Sequence, residues 1–173
     1  MPTVIIRPDA IGAETGFDQG GPNLLSRIND NDTSTFVTQT NETANFSIGI
    51  ENSSAYSGAT INNVVVSAIG NTSGKASEAS LEIQLKNAAE TTLQTSTLNF
   101  GTTESTESTA EYSTGLTPSV VDGFNLLCTP DESGITIKEV FITVDYTAAA
   151  AATTPFIGMK SGKYKIVSGK VKI

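Results

Sequence analysis

Any chemistry in this chain must come from carboxylates and hydroxyls. The 173 residues hold 18 acidic side chains, one cysteine (Cys128), no histidine and no tryptophan. Zinc and copper sites draw on His and Cys, so neither typical site can be assembled. A Ser–His or Cys–His nucleophile is excluded by the same composition. No P-loop or dinucleotide-type glycine loop is present. Paired carboxylates remain the one catalytic option, since a glycosidase needs only two. The acidic residues fall mostly in turns and on outward strand faces, however, and aromatics at 6% would line a sugar-cleaving cleft poorly. The composition therefore points away from an enzyme, and no cofactor or metal is assigned.

Four smaller features each have two readings. Asp30-Asn31-Asp32-Thr33 places oxygen ligands at alternating positions, as a Ca²⁺ loop would. It lacks the glycine at the sixth position and the glutamate at the twelfth, so an Asx-turn leading into the next strand is preferred. Five Asn-X-Ser/Thr sequons (at Asn31, Asn41, Asn45, Asn52 and Asn71) are what an Asn/Ser/Thr-rich chain produces by composition. Cys128 alternates with Phe124 and Leu126 and reads as a small buried apolar residue rather than a reactive thiol. Tyr56 and Tyr112 are the only rings available for a sugar-binding platform on the body, and Tyr164 either anchors an interface or covers a small hairpin.

The elements that would position these residues are strands. Thr, Ser and Asn disfavour helix interiors, whereas Thr suits strands and Asn and Ser suit turns. Thr3–Arg7 is a short strand that Pro8 ends. Residues 9–23, glycine-bearing and poor in apolar side chains, form a long loop or arm. Leu24, Leu25 and Ile28 make one helical turn, and Ser34–Thr38 resumes as a strand. Ala44–Ile50 alternates cleanly. Thr60–Ile69, with consecutive valines, is a central strand covered on both faces, followed by a turn at 70–74. Ala79–Lys86 and Thr91–Phe100 pair as a hairpin. Residues 101–114 are an edge strand with loops. Thr117-Pro118 caps a short helical turn, and Phe124, Leu126 and Cys128 mark the next strand. In Ile135–Tyr146 the apolar parity slips from odd to even, which calls for a β-bulge near Lys138-Glu139.

The fold class is thus all-β, a single antiparallel β-sandwich with an extended N-terminal arm and a short C-terminal β-tail. Its divisions are an N-terminal strand and arm (1–23), the sandwich body (24–147), an Ala/Thr linker (148–155) and a basic tail (156–173). The tail repeats SGK(Y/V)KI at Ser161 and Ser168 and forms a tiny hairpin or adds strands to a neighbour. The absence of a disulfide framework, of an apolar leader and of an 18-residue apolar run implies folding in a cytoplasm without membrane insertion. Net charge is −8, with five lysines and no acidic residue after Asp145. The acidic body repels nucleic acid, while the basic tail suits an acidic surface such as a neighbouring copy.

The acidic turn running into Thr-Phe-Val (Asp30–Val37), the alternating strands and the closing VFITVDY (140–146) resemble the jelly-roll structural proteins of tailed bacteriophages. The tail, KSGKYKIVSGKVKI, is similar to Lys/Gly repeats appended to virion proteins. The resemblance implies a capsid decoration, or cement, protein made in the host cytoplasm and bound to the outside of the virion. Its partners would be the major capsid protein and copies of itself, as a homotrimer. The expected contact residues are Val4, Ile5, Ile6, Arg7 and Phe17 at one end, and Phe156, Lys160, Lys163, Tyr164, Lys165, Lys170 and Lys172 at the other. A head-fibre or tail-fibre module binding a host receptor or glycan is the alternative. A cellular carbohydrate-binding module is a third possibility and would need an exposed aromatic platform.

Overall fold

Period-two alternation of apolar and polar residues becomes period-two burial throughout the body. A computed structural model describes residues 1–15, 17–18, 28–29, 35–39, 45–72, 78–131, 134–150, 166–167 and 170–171, with side chains at 1–10, 28–29, 35–38, 45–72, 78–131 and 134–150. The strands are β1 (Thr3–Ile6), β2 (Pro8–Thr15), β3 (Phe17–Asp18), β4 (Val37–Gln39), β5 (Asn45–Ile50), β6 (Thr60–Thr72), β7 (Glu78–Lys86), β8 (Thr92–Gly101), β9 (Ser105–Ser108), β10 (Asn125–Pro130) and β11 (Ile135–Thr147). A 3₁₀ turn (Ser54–Tyr56) and a short helix, α1 (Pro118–Val121), interrupt them. Two small strands, β12 (Ile166–Val167) and β13 (Lys170–Val171), follow in the tail.

Two antiparallel sheets form the sandwich. One has six strands in the order β3-β4-β11-β6-β9, with β1 also on β11; the other has five, in the order β2-β5-β10-β7-β8. Their inward faces meet in one apolar cluster. Val64, Val66, Val140, Ile142 and Val144 come from the first sheet, and Phe46, Ile48, Leu81, Ile83, Phe100, Leu126 and Cys128 from the second. This continuous dry layer is the dominant favourable term in the fold.

Several expectations hold in detail. The β7–β8 hairpin runs in register from Glu78↔Gly101 to Leu85↔Gln94. The β11 ladder shifts between Ile137 and Glu139, so both Ile137 and Val140 are buried. That is what a bulge at Lys138 does to strand parity. Thr117 caps α1, its Oγ1 accepting from the Val120 amide at 3.3 Å. In the tail, β12 pairs antiparallel with β13, Ile166 opposite Val171, so the two repeats face each other. β6 is central, between β11 and β9. Only one of its faces is fully covered, since Val64 and Val66 are buried and Val65 is half-buried.

Two expectations are corrected. The N-terminal segment is not an arm outside the body, at least through Thr15. β1 pairs with β11, Thr3 opposite Asp145, and β2 pairs with β5 in the other sheet. Pro8 is tolerated because it opens an edge strand, where the missing N–H breaks no ladder. The turn at 70–74 begins late, because β6 continues through Gly70 to Thr72. A Cβ at Gly70 would lie 2.6 Å from the carbonyl oxygen of Thr136, so glycine is there for close strand approach. Leu24, Leu25 and the Asp30–Thr33 turn lie outside the described residues, whereas Ile28 is fully buried in the core.

Candidate functional site

Three loops meet beside the edge of the five-stranded sheet. The β7–β8 turn is fixed by Asn87, whose Oδ1 accepts from the amides of Ala89 and Thr91, each at 3.0 Å. Glu90 takes a left-handed backbone there, with φ 59°. Its carboxylate is engaged by Asn125 at 3.0 Å and by Lys86 at 3.9 Å. The second loop is held by Tyr112, which exchanges both backbone hydrogen bonds with Val64 at 2.9 Å. Gly115, at φ 65°, then turns the chain toward α1. The third wall is α1 itself, packed so close to the turn that a Cβ on Gly123 would sit 3.1 Å from that of Ala88.

Between these loops lies a groove of about 490 Å³. Leu93, Val120, Ala88 and the half-buried Tyr112 ring form its apolar surface, and Asn87, Thr114 and Ser119 supply amide and hydroxyl groups. No ionisable side chain other than the Tyr112 phenol lines it. Such a lining suits a neutral, amphipathic ligand, because an ion would enter without a counter-charge. Tyr112 stands out in the sequence as a candidate ring, whereas the groove is a shape assembled from residues 87–120.

Tyr56, the other candidate ring, is fully buried. Its hydroxyl donates to Asp122 Oδ1 at 2.6 Å, and its ring meets Tyr146 edge-on at 6.4 Å between centroids. Burial, reinforced by the hydrogen bond to Asp122, holds its phenol well above the ordinary tyrosine range. Tyr56 is a structural tyrosine and offers no platform. Cys128 is fully buried, as expected, and burial alone pushes its thiol far up, which suppresses the thiolate.

Of the expected contact residues, side chains are described for Val4, Ile5, Ile6 and Arg7, in β1 and the residue after it. Ile6 is buried in the core and cannot serve a partner. Val4 is half-buried against the same core. Ile5 points the other way and is 49% exposed. Arg7 forms an ion pair with the buried Glu139, Nε to Oε1 at 3.5 Å. Phe17 lies in β3 and Lys170 in β13, with side chains outside the described set. Phe156, Lys160, Lys163, Tyr164, Lys165 and Lys172 fall outside the described residues. Among the described residues, no three His, Cys, Asp or Glu side chains come together to hold a metal ion.

No protein-family model and no curated protein matches this chain. Two solved structures align with this chain at low similarity. One is the C-terminal CBM6 of LamC, a marine laminarinase from Zobellia galactanivorans, at 12% identity and TM-score 0.47, covering 83% of this chain and 98% of that one. The other is a carbohydrate-binding module, CBM6cm-2, from Cellvibrio mixtus lichenase 5A in complex with cellotriose, at 11% identity and TM-score 0.43, covering 83% and 97%.

Proposed function

We propose that this chain is a non-catalytic recognition module whose groove takes a neutral, hydroxyl-rich ligand such as the terminal sugar of a glycan. One observation carries the reading: an aromatic ring, an amide and two hydroxyls converge on a groove without a carboxylate or ammonium group. A sugar offers an apolar face for the ring and hydroxyls for the rest. A few net hydrogen bonds at about 1 kcal/mol each, with one ring face, amount to about 4 kcal/mol, or a Kd of about 1 mM. Affinity of that order becomes useful through several copies on one surface. Titration with a panel of neutral mono- and oligosaccharides at millimolar concentration, followed by NMR, tests it. Shifts should centre on Asn87, Tyr112, Thr114 and Ser119 and vanish in Tyr112→Ala. A panel that moves no groove resonance removes the reading.

Capsid decoration is the second reading, favoured by Ile5. The Tyr146 amide bonds the Pro2 carbonyl, which places even residues of β1 toward β11 and turns the backbone of Thr3 and Ile5 outward. An exposed isoleucine on an open edge suits strand addition by a shell protein. Co-sedimentation with purified phage shells, weakened by Ile5→Lys, is the expected result. Absence of shell binding discards this reading and leaves the first intact.

A further inference from the structure

We propose that β8 is a self-pairing edge, through which two copies of this chain join their five-stranded sheets into one. The Asp131 amide bonds the carbonyl of Ser80, and Asp131 Oδ1 accepts from the Ser80 amide at 2.7 Å. Even residues of β7 therefore bond away from β8, and odd residues bond toward it. Through the register Leu81↔Leu98 and Ile83↔Ser96, even residues of β8 bond inward. The N–H and C=O groups of Thr95, Thr97 and Asn99 face outward, and no backbone partner meets them among the described residues. All three side chains are exposed.

Sheet edges in monomeric proteins are guarded by charge, proline, irregularity or shortness. The other edges here are guarded or offer few outward residues. β2 opens on Pro8, carries Asp9 and Glu14, and shifts register twice. β9 has four residues, one of them Glu107. β1 turns two residues outward, and β3 has only two. β8 spans ten residues, TLQTSTLNFG, with no charge and no proline, and its pairing is regular from Gln94 onward.

The edge fits a second copy of itself. A two-fold axis at Thr97 sets Thr97 against Thr97 and Thr95 against Asn99, so the outward donors and acceptors pair reciprocally. The exposed hydroxyl and amide side chains fall opposite one another on one face, a favourable cross-strand combination. On that face Glu82 of β7 stands across from Thr97. In the pair, the two Glu82 residues stand three strand spacings apart, about 14 Å. That exceeds the Debye length at physiological salt, about 8 Å. The basic tail would find no carboxylate on β8 itself.

Sedimentation equilibrium on the full chain should show a species of twice 18.0 kDa. Thr97→Lys, which sets two ammonium groups face to face, should weaken association at least about ten-fold, and Thr95→Lys likewise. Thr106→Lys on β9 should change nothing. Hydrogen exchange supplies a second readout. The Thr95, Thr97 and Asn99 amides should exchange slowly at high protein concentration and fast in Thr97→Lys, with the melting temperature of the monomer kept. A chain that stays monomeric, or a dimer in which these amides exchange fast, overturns the proposal. So does amide protection that disappears on changing Lys163, Lys165, Lys170 and Lys172 to Glu, which would put a tail strand on the edge.

Discussion

The hydroxyl of Tyr56 donates a 2.6 Å hydrogen bond to Asp122 Oδ1, tying the turn after β5 to the C-cap of α1 across 66 residues of chain. The same oxygen accepts from the Ser53 amide at 3.4 Å. One carboxylate thus locks two loops that share no ladder. Asp122→Ala should cost about 2–3 kcal/mol, since it leaves a buried phenol without an acceptor. Tyr56→Phe should cost about 1.5 kcal/mol, because Asp122 is half-exposed and water can replace the lost donor. Urea denaturation of both variants measures the difference.

Tyr56 and Cys128 also set the alkaline limit of the fold. Both are held protonated by burial, Tyr56 with help from Asp122. In the unfolded chain the thiol loses its proton above about pH 8.5 and the phenol above about pH 10. The unfolded state then binds fewer protons than the native state, so stability falls as pH rises. It is fully present below pH 8.5, starts to decline through Cys128, and steepens above pH 10 through Tyr56. Each group contributes a slope of about 1.4 kcal/mol per pH unit. Urea midpoints from pH 7 to 11 should show the first phase missing in Cys128→Ala.

Close approach of β6 and β11 depends on Gly70. The obstacle to a side chain there is the backbone oxygen of Thr136, which cannot swing aside as a side chain would. Gly70→Ala should destabilise by about 3 kcal/mol, the upper end for overpacking. A thermal melt with the native β-sheet spectrum retained checks it.

Arg7 balances a carboxylate that the bulge in β11 leaves buried. The Glu139 side chain is 6% exposed and that of Arg7 28%. Arg7→Ala should cost about 3 kcal/mol, the low end for breaking a buried pair, because Arg7 still meets water. Replacing both, as Arg7→Met with Glu139→Leu, should recover most of that loss. Denaturant midpoints of the single and double variants separate pairing from burial.

The sandwich is legible where burial imposes alternation. The hairpin at 79–100, the parity slip at Lys138 and the Thr117-Pro118 cap are each written in a few consecutive residues. Edge strands are less legible, since water satisfies one side and selection for apolar residues relaxes. That is why Pro8–Thr15 reads as a loop yet pairs with β5. The groove is not legible, because Ala88, Tyr112 and Val120 carry no motif until the fold brings them together. Tyr56 misleads for the reverse reason: its neighbours Ser53, Ser54 and Ser57 are those of a surface loop, and its acceptor lies 66 residues away.

The pairing of β1 with β11 governs when a nascent chain can fold. Thr3 has no partner until Asp145 has been synthesised. At about 5–20 residues per second, the first strand waits roughly 7–30 s on the ribosome with its isoleucines uncovered. A premature stop anywhere before β11 removes the central strand of the six-stranded sheet. Truncated products should therefore be captured by chaperones or degraded, rather than accumulate as partial domains.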